Sequence, residues 1–451
     1  MVGLRDLATY VPRCSLSLSD VSVTLGQGGG RGSRRVANFD EDTTTMGVEA
    51  ARRLTRQSQD AAESIWFASS SPAYGIKTNA SAVHAALHLP FHIPSYDAGQ
   101  SMRSSVGALR SASLSKGLAV CSDMWTGAPG GDDERLGGDG AFACVFGADD
   151  ESIAIIESWH SMSVEMLERW AAPGAMMQSW DDRFGAEALG ELLPAFLRDI
   201  TTNPPDKVVV SGANPRSATL LRSAFSTQVT ATPSDTGFTG VADFGLQLAE
   251  ALQTASTGQR IAAFLLGDGI EAVVFRVTER VALWQKNHAA VSTTPRKTIR
   301  YADMLSWRGA LARQLPRRPE PQQPAAPPSF RNVGWKFGLV AGKCSSCEGV
   351  HTPPEPRCRH CGSTEVMVDL PLADVVGTVV TFTVDHLAYT PAPPLVIAVV
   401  DFGNGARSSF EVADSEPDSV KIGDHVEMVF RKLGTVGGVH NYFWKVRPIV
   451  G

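Results

Sequence analysis

The sequence predicts a layered α/β domain followed by two small domains, a metal-stabilised ribbon and a β-barrel. Apolar strand-like runs alternate with helical patterns in the first two thirds of the chain, a proline-rich stretch follows, and the remainder combines two Cys-x-x-Cys pairs with β-rich runs. The predicted domains are an α/β domain at 1–312, a linker at 313–330, a zinc ribbon at 331–368 and an OB-type barrel at 369–451.

Strand and helix patterns alternate in the predicted α/β domain. The predicted strands are short apolar runs that end in small residues: Ser64–Ser69, Gly117–Ser122, Lys207–Ser211 and Arg260–Gly267. The predicted helices carry helical spacing: Thr45–Arg56, Ala80–Leu89, Ser105–Leu114 and Gly245–Thr254. This alternation favours a largely parallel sheet, and small residues at strand ends let the backbone approach a ligand.

Composition limits the function classes. The chain has 451 residues, 43% of them hydrophobic, and a net charge of −6, which excludes a wholly disordered or collagenous protein and argues against a generally phosphate-binding surface. The sequence has no apolar run of the roughly 18 residues that a membrane span needs. Arg5 and Asp6 interrupt the place where a secretory signal would be apolar. We therefore expect a soluble, cytoplasmic protein with no membrane partner.

The linker is defined by proline. Pro316–Pro328 contains six prolines in thirteen residues and lacks aromatic and β-branched residues. Proline cannot donate a backbone N–H, so this composition favours extended polyproline geometry. The sequence predicts a stiff tether or an arm that lies over a surface.

Four cysteines form the strongest chemical signal. Cys344 and Cys347 make one Cys-x-x-Cys pair, and Cys358 and Cys361 make a second pair ten residues later. Two such turns facing each other give a tetrahedral sulfur site, which Zn²⁺ prefers, and four protein ligands leave no position for water or substrate. We therefore predict a structural Zn²⁺ that contributes folding energy to a ribbon too small to form its own core.

The C-terminal runs predict a small barrel. The five β-rich runs are separated by Gly and Pro turns: Gly377–Asp385, Leu395–Asp401, Ala406–Glu411, His425–Phe430 and Tyr442–Val446. A zinc ribbon followed by such a barrel is also compatible with nucleic-acid binding, which needs a basic groove with stacking aromatics. Acidic residues balance the basic residues of this region, which argues against nucleic acid as the partner.

Several motifs of the N-terminal part resemble the thiolase-superfamily branch that contains archaeal-type hydroxymethylglutaryl-CoA synthases, with ketoacyl-carrier-protein synthase III as a cousin. The matching segments are Tyr10–Pro12, Asn38–Met46, Val48–Arg52, Ser71–Lys77, Gly137–Ala141, Gly267–Gly269 and Tyr301–Gly309. The resemblance implies two βαβαβαββ halves in five layers and a dimer. It also implies chemistry that makes or breaks a C–C bond next to an acyl thioester.

The C-terminal part resembles the zinc-ribbon plus OB-fold family that accompanies thiolase-like enzymes. Lys336–Cys344, Pro353–Pro354 and Val420–Asp424 carry this likeness. The resemblance implies a protein that works within an acyl-CoA enzyme assembly.

The catalytic positions of the thiolase-like family hold unexpected residues. Family chemistry uses a Cys nucleophile, a His and an Asn that polarise the thioester carbonyl, and a Glu that moves a proton. Alignment by local motifs places these four positions at Met102, Ser211, Phe238 and Ser70, respectively. A thioether cannot form a thioester, so the usual mechanism is not expected here.

The resemblance further implies that a coenzyme A thioester is the ligand, and we predict substrate contacts from Lys77, Ser101, Arg103 and Asn214. Three functions remain open. The first is a subunit that lacks the catalytic set. This subunit associates with an active thiolase-like partner, with a second copy of itself, or with both. The second is a self-contained acyl-CoA enzyme with altered, retro-aldolase-type chemistry. The third is a non-enzymatic protein that binds acyl-CoA or nucleic acid.

Overall fold

The computed structural model describes residues 2–60, 62–172, 174–230, 235–288, 295, 297–414 and 416–449. The chain divides into two compact units. Unit 1 comprises Met1–Ala37, Asp42–Ser81 and Pro90–Leu305, and unit 2 comprises Asn38–Glu41, Ala82–Leu89 and Ser306–Gly451. The domain limits drawn from the sequence at residues 312, 330 and 368 stay predictions.

Strands and helices alternate through residue 307. The strands are β1 (Val2–Tyr10), β2 (Cys14–Ser17), β3 (Ser33–Val36), β4 (Ile65–Ala68), β5 (Ser95–Asp97), β6 (Leu118–Met124), β7 (Asp139–Ala148), β8 (Ala154–Ser163), β9 (Arg169–Trp170), β10 (Gln178–Ser179), β11 (Lys207–Gly212), β12 (Gln228–Thr230), β13 (Arg260–Leu266), β14 (Gly269–Val277) and β15 (Lys297–Ile299). The helices are α1 (Leu18–Leu25), α2 (Thr43–Arg52), α3 (Arg56–Asp60), α4 (Ala80–Ala86), α5 (Ser104–Leu114), α6 (Asp132–Leu136), α7 (Asp182–Thr202), α8 (Pro215–Ser223), α9 (Asp243–Gln253), α10 (Val281–Asn287) and α11 (Tyr301–Trp307).

The main sheet of unit 1 has ten strands in the order β12-β11-β13-β14-β8-β1-β7-β6-β4-β5. Its two ends repeat one arrangement, because β5, β4, β6, β7 and β1 correspond in order to β12, β11, β13, β14 and β8. The sequence-based expectation of a largely parallel sheet is wrong. Only the pairs at the two ends are parallel, and the central pairs are antiparallel.

Short connections explain the antiparallel pairs. Strands β13 and β14 are joined by Gly267 and Asp268 alone, whereas a parallel pair needs a crossover of about a dozen residues or more. Asp268 has φ +46°, the left-handed conformation that Asp tolerates in tight hairpin turns. The apolar pattern of the sequence located the strands, but it carries no information on the direction in which each strand runs relative to its neighbours.

Helices cover the two halves of the sheet in layers. Helix α2 packs on β6 and β7, and a capping box fixes its first turn: Thr45 N donates to Asp42 Oδ1 at 3.0 Å, and Asp42 N donates to Thr45 Oγ1 at 2.8 Å. Helices α5 and α9 share one buried core with strands of both halves, and α7 and α8 cover β11, β13 and β14. Helices and sheet therefore form the layered α/β architecture predicted from the sequence.

Unit 2 contains two small sheets. Its remaining elements are α12 (Ala326–Arg331), α13 (Val333–Lys336), β16 (Val340–Lys343), β17 (Val350–His351), β18 (Val368–Pro371), β19 (Gly377–Asp385), β20 (Leu395–Asp401), β21 (Arg407–Glu411), β22 (His425–Val436) and β23 (Val439–Pro448). The ribbon sheet has the order β17-β16-β18, and the barrel sheet has the order β21-β20-β19-β22-β23. A bridge between Val412 and Val446 joins the two edges of the five-stranded sheet, which closes it into the predicted barrel.

The linker departs from the extended geometry expected for all of Pro316–Pro328. Helix α12 begins at Ala326 and places Pro327 and Pro328 in its first turn. The first turn of a helix tolerates proline because its N–H groups have no intrahelical acceptor. The proline content therefore predicted the irregular chain before this helix, but it did not show that a helix begins at Ala326.

Unit 2 contains a buried ionic cluster. Arg431 has no exposed surface, and its Nη2 lies 2.9 Å from Asp414 Oδ2 and 3.1 Å from Glu41 Oε1. Lys445 Nζ lies 2.9 Å from Asp40 Oδ2 and 2.8 Å from Glu411 Oε2. Burial works to lower the pKa of Lys445, but the carboxylates of Asp40 and Glu411 outweigh it, and the pKa is raised. Both cations therefore remain charged inside the protein.

Candidate functional site

The four predicted cysteine ligands form one cluster. Their Sγ atoms all lie within 4.8 Å of one another, with Cys344 and Cys361 3.8 Å apart and Cys347 and Cys358 3.5 Å apart. A tetrahedron with Zn–S distances of about 2.3 Å has sulfur atoms about 3.8 Å apart. The sulfur arrangement therefore fits Zn²⁺, and these four residues would hold it with no ligand position left open.

The surroundings of Cys358 favour its thiolate form. The backbone N–H of Cys361 donates to Cys358, and His351 Nε2 lies 3.4 Å from the Cys358 sulfur. These contacts outweigh burial and lower the pKa of Cys358 to about 5. Metal ligation requires the deprotonated sulfur, so the local backbone prepares the site for a cation. His351 is itself buried, with only 5% of it exposed.

A cavity of about 430 Å³ lies in unit 1 at the carboxyl ends of β4, β6, β11 and β13. Its volume is in the range of small-molecule sites, roughly 300–1,000 Å³. Ligands of α/β proteins commonly bind beyond the carboxyl ends of strands, where loops and helix starts converge. Ser70, Ser101, Met102 and Asn214, four of the residues singled out in the sequence, line this cavity.

The position assigned to the nucleophile holds a close-packed thioether. Met102 lies at the start of α5, where Ser105 N donates to Met102 O at 3.4 Å. A Cβ atom on Gly267 would lie 3.1 Å from Met102 Cβ, so the turn after β13 approaches this side chain closely. The chain thus places position 102 against the cavity and gives it no nucleophilic atom.

Ser211 and Phe238 occupy the predicted positions of the family histidine and asparagine. Ser211 is fully buried at the end of β11, and its Oγ has no hydrogen-bond partner within the described part of the chain. The ring of Phe238 packs edge-on against Trp125, with 4.8 Å between ring centroids. Trp125 lines the cavity, so Phe238 supports its wall from behind.

Asp123 organises the turn that contains Ser70. This carboxylate is fully buried at the end of β6 and accepts hydrogen bonds from Ser70 Oγ at 2.6 Å, Ser71 Oγ at 2.7 Å and Val241 N at 3.0 Å. Burial raises the pKa of Asp123 despite these hydrogen bonds, which favour its charged form. The hydroxyls of Ser70 and Ser71 are therefore engaged with a buried acid at the edge of the cavity.

Three of the predicted substrate contacts are engaged with the protein. Asn214 Oδ1 caps α8 by accepting from Arg216 N at 2.9 Å, while its Nδ2 donates to Glu168 Oε1. Arg103 pairs with Glu271 and donates to Asp268 O at 2.6 Å. Lys77 lines a separate hollow and donates to Thr78 O at 2.9 Å and to Ser81 Oγ at 2.8 Å. Burial lowers the pKa of Lys77, and Asp97 partly offsets this effect.

Ser101, the fourth predicted contact, combines exposure with a place on the cavity wall. It lines the cavity and is exposed, and its N–H donates to Ser104 Oγ at 3.1 Å. Its hydroxyl lies 3.4 Å from Ser104 Oγ. Ser101 can therefore donate to a ligand oxygen without losing a buried partner.

Sequence reasoning missed a wall of the cavity. The segment 166–177, which includes β9, supplies Met166, Glu168, Arg169, Trp170 and Met177 to the lining. Arg169 anchors this segment, because its guanidinium lies 3.0 Å from Asp133 and 2.9 Å from Asp182.

Burial works to lower the pKa of Arg169, but the nearby carboxylates of Asp133, Asp182 and Glu168 raise it. Asp133 lies 36 residues and Asp182 13 residues from Arg169 in sequence, and the spacing of charged residues gave no signal for either pair. The methionines and tryptophans of this region were the available signal, although the sequence did not show which of them meet.

The thiols of unit 1 are remote from covalent chemistry. Cys14, Cys121 and Cys144 are buried, and the described residues that line the cavity include no cysteine. Burial raises the pKa of Cys144 and, with the nearby Cys144 and Asp123, that of Cys121. Both strand thiols therefore stay protonated at neutral pH.

Comparison with known proteins separates the two parts of the chain. Residues 338–366 match the family described as "ChsH2, rubredoxin-like zinc ribbon domain", and residues 371–431 match "ChsH2, C-terminal OB-fold domain". Over 125 residues, 27% of this chain, the sequence is 31% identical to a DUF35 domain-containing scaffold protein of Methanothermobacter thermautotrophicus, of which the match covers 93%. The chain belongs to the DUF35 domain-containing family.

This DUF35 family member also resembles hydroxymethylglutaryl-CoA synthases. It is 30% identical over 219 residues to the enzyme of Thermoplasma acidophilum, which is 45% of this chain and 60% of that protein. A crystal structure of HMG-CoA synthase complexed with CoA superposes with a TM-score of 0.58 at 15% identity, covering 68% of this chain and 89% of that one. The thiolase-like fold and the zinc ribbon and OB fold predicted from the sequence are thereby confirmed.

Among the described residues, no helix combines the length and the apolar character needed to cross a bilayer.

Proposed function

We propose that this DUF35 family member is a component of a thiolase-like acyl-CoA enzyme and lacks the nucleophilic cysteine of such enzymes. It binds an acyl thioester in the cavity of unit 1 and acts with a thiolase-like partner that supplies the nucleophile. The partner makes or breaks the C–C bond next to the thioester. The observation that carries this proposal is that Met102, the residue that sequence motifs assign to the nucleophile position of thiolase-like enzymes, lies on the wall of a ligand-sized cavity.

Three further findings support the proposal. The fold is that of a structure solved with CoA bound, which supports a CoA thioester as the ligand class. The relatives that define the family are named scaffold proteins, which supports a role within an assembly. The buried thiols of unit 1 have raised pKa values, which disfavours a substitute nucleophile from Cys121 or Cys144.

Thiol labelling tests whether acyl-CoA enters this cavity. A Met102→Cys variant places a reactive thiol on the wall, and Leu114→Cys places one at the far end of the same helix, at a side chain 83% exposed. We expect acyl-CoA to slow maleimide labelling at position 102 and to leave position 114 unchanged, as read by peptide mass spectrometry. Equal labelling rates at position 102 with and without acyl-CoA would contradict thioester binding here.

Reconstitution tests the partner. The tagged full chain is purified from its native cells, and any stoichiometric thiolase-like protein with an intact Cys and His is expressed separately. We expect acyl-CoA turnover from the combined proteins and none from this chain alone. Recovery of a homo-oligomer that turns over acyl-CoA by itself would reject the subunit role.

A second candidate function is a self-contained retro-aldolase, and Asp268 favours it. This residue lines the cavity; burial raises the pKa of its carboxyl, as does Glu165, while Arg103 opposes the shift. In this reaction a base takes the proton of a β-hydroxyl, whose oxygen forms the carbonyl group of the released product as the C–C bond breaks. The electron pair of that bond forms the thioester enolate, which then takes a proton back from the conjugate acid of the base.

An Asp268→Asn variant separates the two functions, because Asn also tolerates the left-handed turn. Loss of cleavage by the purified chain would favour the second function. Absence of cleavage by the unmodified chain would leave only the first.

A further inference from the structure

Methionine is concentrated at the cavity of unit 1. Four of the eleven methionines of the chain line it, namely Met102, Met124, Met166 and Met177. They come from different parts of the fold, and Trp125 and Trp170 complete the apolar wall. Flexible, polarisable thioethers adapt to irregular apolar shapes, and indole rings offer large apolar faces.

Several polar side chains of the wall are already engaged with the protein. Ser70 and Ser71 donate to Asp123, and the Asn214 side chain caps α8 and contacts Glu168. Arg169 is held by Asp133 and Asp182. Breaking such partly buried contacts is costly, so these polar groups stay with their protein partners, and the thioether and indole surfaces supply the large apolar contacts for an entering group.

We propose that this cavity takes the acyl part of the thioester and selects a bulky apolar acyl group over acetyl, with segment 166–177 as the specificity-determining wall. This inference rests on the proposed function and names its substrate class. A small acyl group would leave the methionine surfaces without contacts, whereas a branched or ring-bearing group would bury them. Short acyl chains are therefore expected to bind weakly.

Arg169 fixes the position of this wall. Its two ion pairs join segment 166–177 to Asp133 in the first turn of α6 and to Asp182 at the start of α7, and its side chain is only 12% exposed. The ion pairs lie on the wall itself, so Arg169 is a positioning residue for the acyl group.

Neighbouring methionines provide a matched control. Met177 lines the cavity, whereas Met176, the residue before it, is 56% exposed and does not belong to the lining. Met177→Ala removes a ligand contact, while Met176→Ala makes the same chemical change outside the site. Met166→Ala tests the other end of the wall, and it replaces Met177→Ala in the experiment if that variant does not fold.

Isothermal titration of the full chain with acetyl-CoA and 3-cyclohexylpropanoyl-CoA tests the inference. We expect the ring-bearing thioester to bind at least about tenfold more tightly, since each buried methylene contributes to affinity. Met177→Ala should weaken that thioester about fivefold and leave acetyl-CoA unchanged, whereas Met176→Ala should alter neither. Arg169→Met should reduce the preference between the two thioesters.

The outcomes separate the inference from the proposed function. Equal affinity for the two thioesters, or equal weakening of both by Met177→Ala, would overturn the acyl selectivity and leave thioester binding intact. Binding of free 3-cyclohexylpropanoate with the same dependence on Met177, without binding of either thioester, would support the apolar site and reject the proposed ligand. Failure of all three compounds to bind would overturn both.

Discussion

The four-cysteine cluster and the cavity of unit 1 are built in opposite ways. The cysteines lie within eighteen residues, and their identities alone define the chemistry. The cavity is lined by residues from 70 to 269, and its chemistry depends on which of them meet and on what each already contacts. A local site can therefore be found from spacing, whereas a site spread over the fold can be recognised only as a family resemblance.

Metal loss from the ribbon should have the largest effect. Cys358→Ser removes the sulfur with the lowered pKa and leaves three thiol ligands. Structural zinc contributes on the order of 10 kcal/mol to small domains, so we expect the variant to lose its metal and unfold the ribbon. Metal analysis and amide exchange at β16–β18 measure the result. Ser346→Ala, between the first two ligands, should keep full metal content, and a metal-loaded Cys358→Ser protein would refute structural zinc at this cluster.

The ionic cluster of unit 2 gives the next largest effect. Arg431→Met leaves the buried carboxylates of Glu41 and Asp414 without this partner, which costs about 3–5 kcal/mol. Denaturant-dependent amide exchange of β22 and β23 measures the loss. Arg407→Met is the control, because Arg407 is 57% exposed in its pair with Asp401 and should contribute little. Equal stability of the two variants would show that the buried cluster is not stabilising.

Sequence patterns predicted the elements better than their connections. Strands β19 and β20 match the predicted limits, and α5 and α9 differ from prediction by one or two residues at their ends. Apolar periodicity reflects burial, so it locates elements. Strand direction depends on connection length and partner choice, which explains why the predicted parallel sheet was wrong at β13–β14.

The cavity could be predicted only in part, for a related physical reason. Local motifs identified Ser70, Met102 and Asn214, which do line it. Arg169 was missed because its partners Asp133 and Asp182 are distant in sequence or on another element, and an ion pair leaves no periodic signal. Asp123 was missed because a single acid at the end of a strand resembles many surface acids until its burial is known.

Asp123 should show a smaller effect that depends on pH. Asp123→Asn keeps the size of the side chain but replaces a carboxylate that accepts hydrogen bonds from Val241 N, Ser70 Oγ and Ser71 Oγ. We expect this change to lower the free energy of unfolding by about 1–3 kcal/mol. Burial raises the folded pKa of Asp123, so the protonated acid is the form that folding favours. The stability that this protonated carboxyl adds to the folded state is thus fully present below the unfolded pKa of about 3.9, and it is lost as the pH rises through the folded pKa.

Urea unfolding at two pH values measures this dependence. The stability difference between the original chain and Asp123→Asn should be larger at pH 5 than at pH 7. Asp132→Asn, at a side chain 85% exposed, should follow the original chain at both values. A difference that shrinks as the pH falls would reverse the assigned direction of the pKa shift.

The smallest expected effect concerns the thiols beside the cavity strands. Burial raises the pKa values of Cys121 and Cys144, and both side chains lack exposed surface. Iodoacetamide at neutral pH should therefore leave both unmodified in the folded chain and label both in urea, because only the exposed thiolate reacts. Met102→Cys under the same conditions should be labelled, since position 102 faces the cavity. Rapid labelling of Cys121 or Cys144 in the folded protein would restore a cysteine nucleophile to unit 1 and remove the main argument for a partner that supplies one.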